Sequence, residues 1–168
     1  FVAMRIDIDS WRWAGVPFFI RAGKSLASTA TEATIVFKRP PLKLFDTVTG
    51  RKPERNRLRF RLGHNDGVQL KIQALDPNVE RLSSTPVVMN VDFNAALGTE
   101  KLPYEVLLGD ALAGDSTKFA TQSIIEGTWK AIMPLVENPG QVHAYKPGTM
   151  GPVDANKLIA NYGGWIEP

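Results

Sequence analysis

Two segments in the middle of the chain alternate, residue by residue, between charged or polar and apolar side chains. Residues 57–62 read Arg-Leu-Arg-Phe-Arg-Leu, and residues 68–75 resume the alternation after the sequence Gly-His-Asn-Asp-Gly. A two-residue period is typical of a half-buried strand, and Gly, Asn and Asp tolerate the positive φ angles of tight turns. The pattern therefore predicts a β-hairpin over residues 57–75, which commits this part of the chain to antiparallel pairing.

Most of the other strand-like segments come before this hairpin. Residues 1–8 alternate, residues 16–21 are almost continuously apolar, and residues 32–38 are rich in β-branched side chains until the sequence Arg-Pro-Pro ends them. Proline cannot donate to a strand ladder, so it marks the end of the third strand. A further strand is predicted at residues 87–93.

The last third of the chain carries helix signals. Pro103 suits a first helical turn. Thr121 or Ser123 can cap a second helix, which Pro134 is expected to disrupt at its end. Asp154 is predicted to cap a short third helix. The predicted inner faces are Tyr104, Leu107, Leu108, Ala111 and Leu112 in the first helix and Ile124, Ile125, Trp129 and Ile132 in the second.

This order of elements decides the fold class. Strands followed by helices, with hairpin spacing between the strands, predict an α+β fold. We expect a large, mainly antiparallel sheet with helices packed on one face. A chain of 168 residues is long enough to bury one core, so a single domain is predicted over residues 1–168.

The composition narrows the function classes. The net charge is +3, which is too small an excess to favour nucleic acid as a partner but suits a phosphorylated substrate. No apolar run approaches the ~20 residues that a membrane helix requires. Because the chain has no cysteine, disulfides and thiolate catalysis are excluded, and a reducing cytoplasm is the expected location. The chain also begins inside a predicted strand, so we expect it to be part of a longer protein.

Several familiar motifs are incomplete. Gly23-Lys24-Ser25 resembles the end of a phosphate-binding loop, but Phe18 stands where the first glycine of that loop is required. No G-x-G-x-x-G fingerprint occurs, so no dinucleotide site is predicted. The two histidines, His64 and His143, lack a G-x-S-x-G elbow and a metal-binding spacing, and neither is expected to be catalytic or to hold a metal.

Lys24 is the candidate binding residue that these motifs leave. It follows Gly23 at the end of a buried apolar strand, where the backbone can approach a ligand. The alternative is an ordinary solvated lysine. Arg57, Arg59 and Arg61 form a stripe on one face of a predicted strand, and this stripe also has two interpretations. The arginines either keep that face solvated or pair with acidic side chains on a neighbouring strand.

Residues 13–24 read W-A-G-V-P-F-F-I-R-A-G-K and resemble the W-x-G-V-P-F-x-x-R-x-G-K pattern of glucose-6-phosphate dehydrogenases. Further pieces occur in the family's order. They are the F-K-x-P end of residues 32–41, the Pro-Tyr-Glu helix at residues 103–108, Phe119, Trp129, the Y-x-x-G-x-x-G-P segment from Tyr145, and Gly164-Trp165. The resemblance covers essentially the whole chain.

The resemblance implies a function. Members of the family oxidise glucose 6-phosphate to 6-phosphogluconolactone with NADP, in the pentose phosphate pathway. An amino-terminal Rossmann domain, whose motifs are absent here, binds NADP and holds the catalytic groups. The carboxy-terminal half completes the substrate pocket and forms the contact of a homodimer or higher oligomer. By this match Lys24 touches the sugar substrate, and Arg21 and Gly23 support it.

The sequence also departs from the family pattern. Thr29 stands where many bacterial members have a second basic substrate contact, which leaves room for a related phosphosugar. Residues 25–31 contain no basic residue, so a second, structural NADP is not expected. The alternative to an enzyme part is a non-catalytic, stand-alone protein that binds a sugar phosphate or scaffolds a partner.

Overall fold

A computed structural model describes residues 1–39, 54–63, 66–78, 84–98 and 101–168. The backbone contacts divide the chain into two compact units. The first unit comprises Phe1–Ser28 and Lys101–Trp165, and the second comprises Thr29–Glu100 and Ile166–Pro168. The prediction of a single domain stays a prediction.

Strands come first and most of the helical residues come last. In the described ranges the strands are β1 (Val2–Asp7), β2 (Pro17–Ala22), β3 (Glu32–Val36), β4 (Arg57–Arg61), β5 (Gly67–Leu75) and β6 (Ser84–Asp92). The α-helices are α1 (Phe93–Leu97), α2 (Pro103–Ala113), α3 (Gln122–Glu137) and α4 (Ala155–Ile159), and a 3-10 turn follows at Ala160–Tyr162. All strand pairs are antiparallel, which confirms the α+β class with a mainly antiparallel sheet and helices.

The first unit contains a two-stranded sheet and three of the helices. β1 pairs with β2 from Val2 opposite Ala22 to Asp7 opposite Pro17. Backbone hydrogen bonds from Trp13 and Ala14 to the carbonyl of Ser10 close the turn between them, at 3.1 and 2.8 Å. Both predicted strands are confirmed to within two residues.

Two of the three helix starts behave as predicted. Pro103 occupies the first turn of α2, and Gly114 ends that helix with a left-handed φ of 72°. The hydroxyl of Thr121 caps α3 by accepting from the backbone N–H of Ile124 at 3.4 Å. Asp154 stands at the start of α4 but makes no capping bond, because its carboxylate is engaged by other side chains.

The prediction that Pro134 disrupts the end of α3 is wrong. The helix continues to Glu137, and the N–H of Asn138 donates to the carbonyl of Pro134 at 3.2 Å. Proline removes only its own N–H and crowds the preceding turn. The turn that follows it can therefore still close.

The predicted apolar helix faces are largely open in the first unit. Tyr104, Leu108 and Leu112 are spaced one turn apart on α2 and are 80%, 64% and 90% exposed. Trp129 on α3 is also mostly exposed, at 59%. Ile159 on α4 is by contrast buried. No helix in the described ranges is long and apolar enough to cross a membrane.

The second unit contains a four-stranded sheet in the order β3-β4-β5-β6. The predicted hairpin is confirmed, since β4 pairs with β5 from Arg57 opposite Lys71 to Arg61 opposite Gly67. The middle of its turn, residues 64–65, lies outside the described residues.

The register gives this sheet one apolar and one mainly polar face. Paired residues share a face, and successive residues alternate between the two faces. The apolar face carries Ala33, Ile35, Leu58, Phe60, Val68, Leu70, Ile72, Val87, Met89 and Val91. The other carries Glu32, Thr34, Arg57, Arg59, Arg61, Gln69, Lys71, Gln73 and Asn90.

The arginine stripe lies on the polar face and pairs partly with acids. Arg59 lies 3.5 Å from the carboxylate of Glu32 on the neighbouring strand and donates to the backbone carbonyl of Glu167 at 2.7 Å. Lys71 binds Glu54 at 2.6 Å. Arg59 thus makes the cross-strand ion pair that was one of the two interpretations of the arginine stripe.

Candidate functional site

Lys24 lies two residues after the end of β2, in a bend, and its side chain is exposed. Gly23 before it is crowded. A Cβ on Gly23 would come within 2.9 Å of the ring of Phe1 and 3.2 Å of the side chain of Leu26. A side chain at position 23 would therefore collide with Phe1 and Leu26. Steric packing thus favours glycine at the position before Lys24.

The backbone around Lys24 is held by a distant segment. The N–H of Gly148 donates to the carbonyl of Ser25 at 2.9 Å, and the N–H of Ala27 donates to the carbonyl of Thr149 at 3.0 Å. Leu26 and Thr149 form a parallel bridge. These contacts join the end of β2 to a Gly/Pro-rich loop more than 120 positions later in the sequence.

A side chain of the same loop also reaches Lys24. The hydroxyl of Tyr145 donates to the backbone carbonyl of Lys24 at 2.6 Å. The ring of Tyr145 packs against Phe1 with centroids 5.6 Å apart. The sequence placed Tyr145 in a family motif but gave it no role, because nothing in the sequence spacing links it to residue 24.

Phe1 and Gly151 complete this corner of the first unit, which consists of Phe1, residues 23–27 and residues 145–151. Gly151 has a φ of 102°, and a Cβ there would overlap the ring of Phe1. Only glycine combines this left-handed backbone with such close ring packing. The ring of Phe1 therefore lies against Gly23, Tyr145 and Gly151 at once.

Arg21 lies on β2, opposite Ala3 of β1. Its guanidinium stacks over the ring of Trp165, 5.0 Å from the centroid. The indole N–H of Trp165 donates to the carbonyl of Ala155 at the start of α4, at 3.1 Å. Phe19 packs edge-on against Trp165 with centroids 6.4 Å apart. These contacts connect β2 to α4, the helix that follows the Gly/Pro-rich loop.

His143 lies in the same loop, outside the Lys24 contacts described above. Its Nδ1 is 3.1 Å from the carboxylate of Asp154, whose other oxygen accepts from Lys157 Nζ at 2.5 Å. The hydrogen bond and charge of Lys157, and then His143, hold the pKa of Asp154 below its usual 3.8. The same bond raises the pKa of Lys157. Asp154 therefore joins the loop to α4 as an ionised acceptor.

This pairing makes a predictable contribution to stability. A carboxyl whose folded-state pKa is depressed stabilises the fold above its unfolded pKa, and that stabilisation is lost as the pH falls through the folded pKa. We expect Asp154→Asn to lower the unfolding midpoint near pH 7 and to have progressively less effect below about pH 4. Thermal unfolding followed by circular dichroism between pH 3 and pH 7 measures this. A difference from the wild type that does not change with pH contradicts the ionised role.

The remaining residues singled out in the sequence are His64 and Thr29. His64 lies outside the described residues, and Thr29 is the first residue of the second unit. No group of three or more His, Cys, Asp or Glu side chains in the described ranges could hold a metal ion. In chemical terms the corner offers an exposed ammonium on a fixed backbone, which suits recognition of an oxygen-rich or anionic ligand.

Comparison with known proteins supports the resemblance found in the motifs. The family model described as "Glucose-6-phosphate dehydrogenase, C-terminal domain" matches residues 1–166. The chain is 38% identical to glucose-6-phosphate 1-dehydrogenase 1 of Mycobacterium tuberculosis over 169 residues, which cover 100% of this chain and 35% of the relative. It is 35% identical over 173 residues to the glucose-6-phosphate 1-dehydrogenase of Aggregatibacter actinomycetemcomitans, covering 34% of that relative.

Solved structures agree with this. The crystal structure of glucose-6-phosphate 1-dehydrogenase from Mycobacterium avium superposes with a TM-score of 0.83 at 35% identity, over 99% of this chain and 35% of that one. A glucose-6-phosphate dehydrogenase in complex with its substrate glucose 6-phosphate superposes with a TM-score of 0.80 at 27% identity, over 99% of this chain and 34% of that one. The chain thus spans about a third of the length of the relatives it matches.

Proposed function

Because the chain belongs to the glucose-6-phosphate dehydrogenase family through its C-terminal domain, we propose that it supplies the substrate side of a dehydrogenase active site. In the full-length enzyme, glucose 6-phosphate is oxidised to 6-phosphogluconolactone and a hydride passes to NADP. An amino-terminal Rossmann domain, outside this chain, binds the NADP and provides the base. The structural relative that is in complex with glucose 6-phosphate supports the choice of substrate.

The placement of Lys24 is the observation that carries this proposal. Its ammonium is exposed, while its backbone is held on both sides of the bend by β2 and by residues 145–149. An ammonium that starts from a fixed backbone offers a charge-assisted hydrogen bond to a sugar or phosphate oxygen in a defined direction. Such a contact orients the sugar relative to the cofactor, which is the condition for efficient hydride transfer.

Arg21 and Gly23 have supporting roles in this proposal. Arg21 stacks on Trp165 and holds the end of β2 against the segment before the carboxy terminus. Gly23 leaves room for the ring of Phe1 beside the bend. Neither is required to touch the substrate.

A substrate panel tests the proposed function. The full-length enzyme should reduce NADP with glucose 6-phosphate, as followed by absorbance at 340 nm, and should do so far less efficiently with unphosphorylated glucose. NAD in place of NADP reports the cofactor preference, which is set outside this chain. If a different phosphosugar gives the higher kcat/KM, the departure at Thr29 has altered the substrate and glucose 6-phosphate is the wrong assignment.

We also propose that the four-stranded sheet forms the contact of a homodimer or higher homo-oligomer. Its apolar face carries side chains that are about half exposed, among them Ile35 at 47%, Met89 at 46% and Val91 at 48%. An antiparallel sheet with an open apolar face gains stability when a second surface covers that face. A cytoplasmic location is part of the same proposal, and the cysteine-free sequence supports it.

Charge substitution on the two faces of one strand tests the oligomer. We expect Met89→Glu in the full-length enzyme to shift the protein towards monomer, because a carboxylate would have to be desolvated in the interface. Asn90→Glu, the neighbouring residue on the polar face, is the matched control and should leave assembly unchanged. Sedimentation velocity over a range of concentrations measures both. A wild-type enzyme that is monomeric throughout contradicts the proposal.

A further inference from the structure

We propose that Tyr145 is a positioning residue for substrate binding, and that it acts through the peptide group between Lys24 and Ser25. This inference rests on the proposed function, because it assigns to Tyr145 the task of directing Lys24. The observation behind it is the hydrogen bond of 2.6 Å from the hydroxyl of Tyr145 to the carbonyl of Lys24. The two residues are 121 positions apart.

The peptide that receives this bond has an unusual backbone. Ser25 has a φ of +53°, and it is the one non-glycine residue with positive φ in the described ranges. A serine adopts this left-handed conformation only when its surroundings hold it there. The bend at Lys24 therefore depends on contacts made from outside it.

Contacts from residues 145–149 fix both peptide groups of Ser25. The hydroxyl of Tyr145 holds the carbonyl before Ser25, and the N–H of Gly148 holds the carbonyl of Ser25 itself at 2.9 Å. The N–H of Ala27 then donates to Thr149 at 3.0 Å. Of these bonds, only the one to the Lys24 carbonyl comes from a side chain, so it can be removed without altering the backbone chemistry.

Removing the hydroxyl frees the peptide group between Lys24 and Ser25 to rotate. Rotation lets Ser25 return to a negative φ, and the accompanying change in ψ of Lys24 loosens the bend from which the lysine side chain extends. The ring of Tyr145 is itself held against Phe1. A phenylalanine at position 145 can therefore keep the ring packing and lose only the hydrogen bond.

The test uses the full-length enzyme and Tyr145→Phe. We expect KM for glucose 6-phosphate to rise about fivefold, the effect of one lost hydrogen bond, with KM for NADP unchanged. Amide hydrogen exchange of residues 23–27, measured by mass spectrometry without substrate, should become faster. Tyr104→Phe, which removes a hydroxyl from an 80% exposed tyrosine on α2, is the matched control and should change neither quantity.

A double-mutant cycle separates positioning from a general structural effect. If Tyr145 acts through Lys24, Tyr145→Phe should raise KM by less than about twofold when Lys24 is already alanine. A full fivefold increase in that background, or unchanged KM and unchanged exchange in Tyr145→Phe alone, would overturn the positioning role. Unchanged kinetics in Lys24→Ala alone would instead overturn the proposed function of Lys24, so the two failures are distinguishable.

Discussion

Replacing Lys24 by alanine in the full-length enzyme is expected to raise KM for glucose 6-phosphate on the order of tenfold or more, while the affinity for NADP stays nearly unchanged. A charge-assisted hydrogen bond contributes about 1.5–3 kcal/mol, which corresponds to roughly a tenfold to hundredfold change in binding. The ammonium is exposed and its backbone is fixed. The substitution therefore removes the contact without disturbing a packed core.

Steady-state kinetics at saturating NADP measures the effect. If the contact strengthens in the transition state, kcat falls together with kcat/KM. Lys130→Ala, which removes an exposed lysine from α3, controls for the loss of one positive charge and should stay within about twofold. An unchanged KM and kcat in Lys24→Ala means that the lysine is an ordinary solvated side chain.

The second large effect concerns the 168-residue chain by itself, which is expected to show no dehydrogenase activity. Hydride transfer requires the nicotinamide to be held against the sugar, and correct placement of two reactants contributes up to ~7–11 kcal/mol to lowering the barrier. The sequence has no dinucleotide fingerprint, and its two histidines lack the motif context of a general base. We therefore expect that the chain by itself does not place a hydride acceptor against the sugar.

NADPH fluorescence with the purified chain, NADP and glucose 6-phosphate measures this activity. The full-length enzyme at the same molar concentration is the positive control, and far-ultraviolet circular dichroism shows whether the isolated chain is folded. Protein from a host that lacks its own glucose-6-phosphate dehydrogenase excludes a contaminating enzyme. NADPH production above the blank in that preparation would contradict the prediction.

Local sequence patterns predicted the secondary structure well, because each pattern has a direct geometric cause. The alternation in residues 57–75 predicted the β4–β5 hairpin, since successive side chains of a strand point to opposite faces. Pro103 and the cap candidates Thr121 and Ser123 predicted helix starts, because each of them can satisfy or avoid an unpaired backbone group. The prediction for Pro134 was wrong because a proline disturbs only the turn before it, so the turn after it can still close.

Asp154 shows the limit of predictions from local sequence. The sequence predicted that it caps a helix, which is the common role of an aspartate before a short helix. In the structure its carboxylate accepts from Lys157 and pairs with His143. A lysine and a histidine compete successfully with a backbone N–H for one carboxylate. The position of His143 is known only once the loop has folded back.

The candidate site was likewise predicted only in part from the sequence. The motif of residues 13–24 identified Lys24, Arg21 and Gly23 from the sequence. The sequence could not show that Tyr145 donates to Lys24 or that Arg21 stacks on Trp165. Contacts between residues so far apart leave no periodic signal, because they depend on loop closure rather than on the repeat of a strand or helix. The sequence alone thus determined which residue is proposed to meet the substrate, whereas the tertiary structure decided what holds that residue in place.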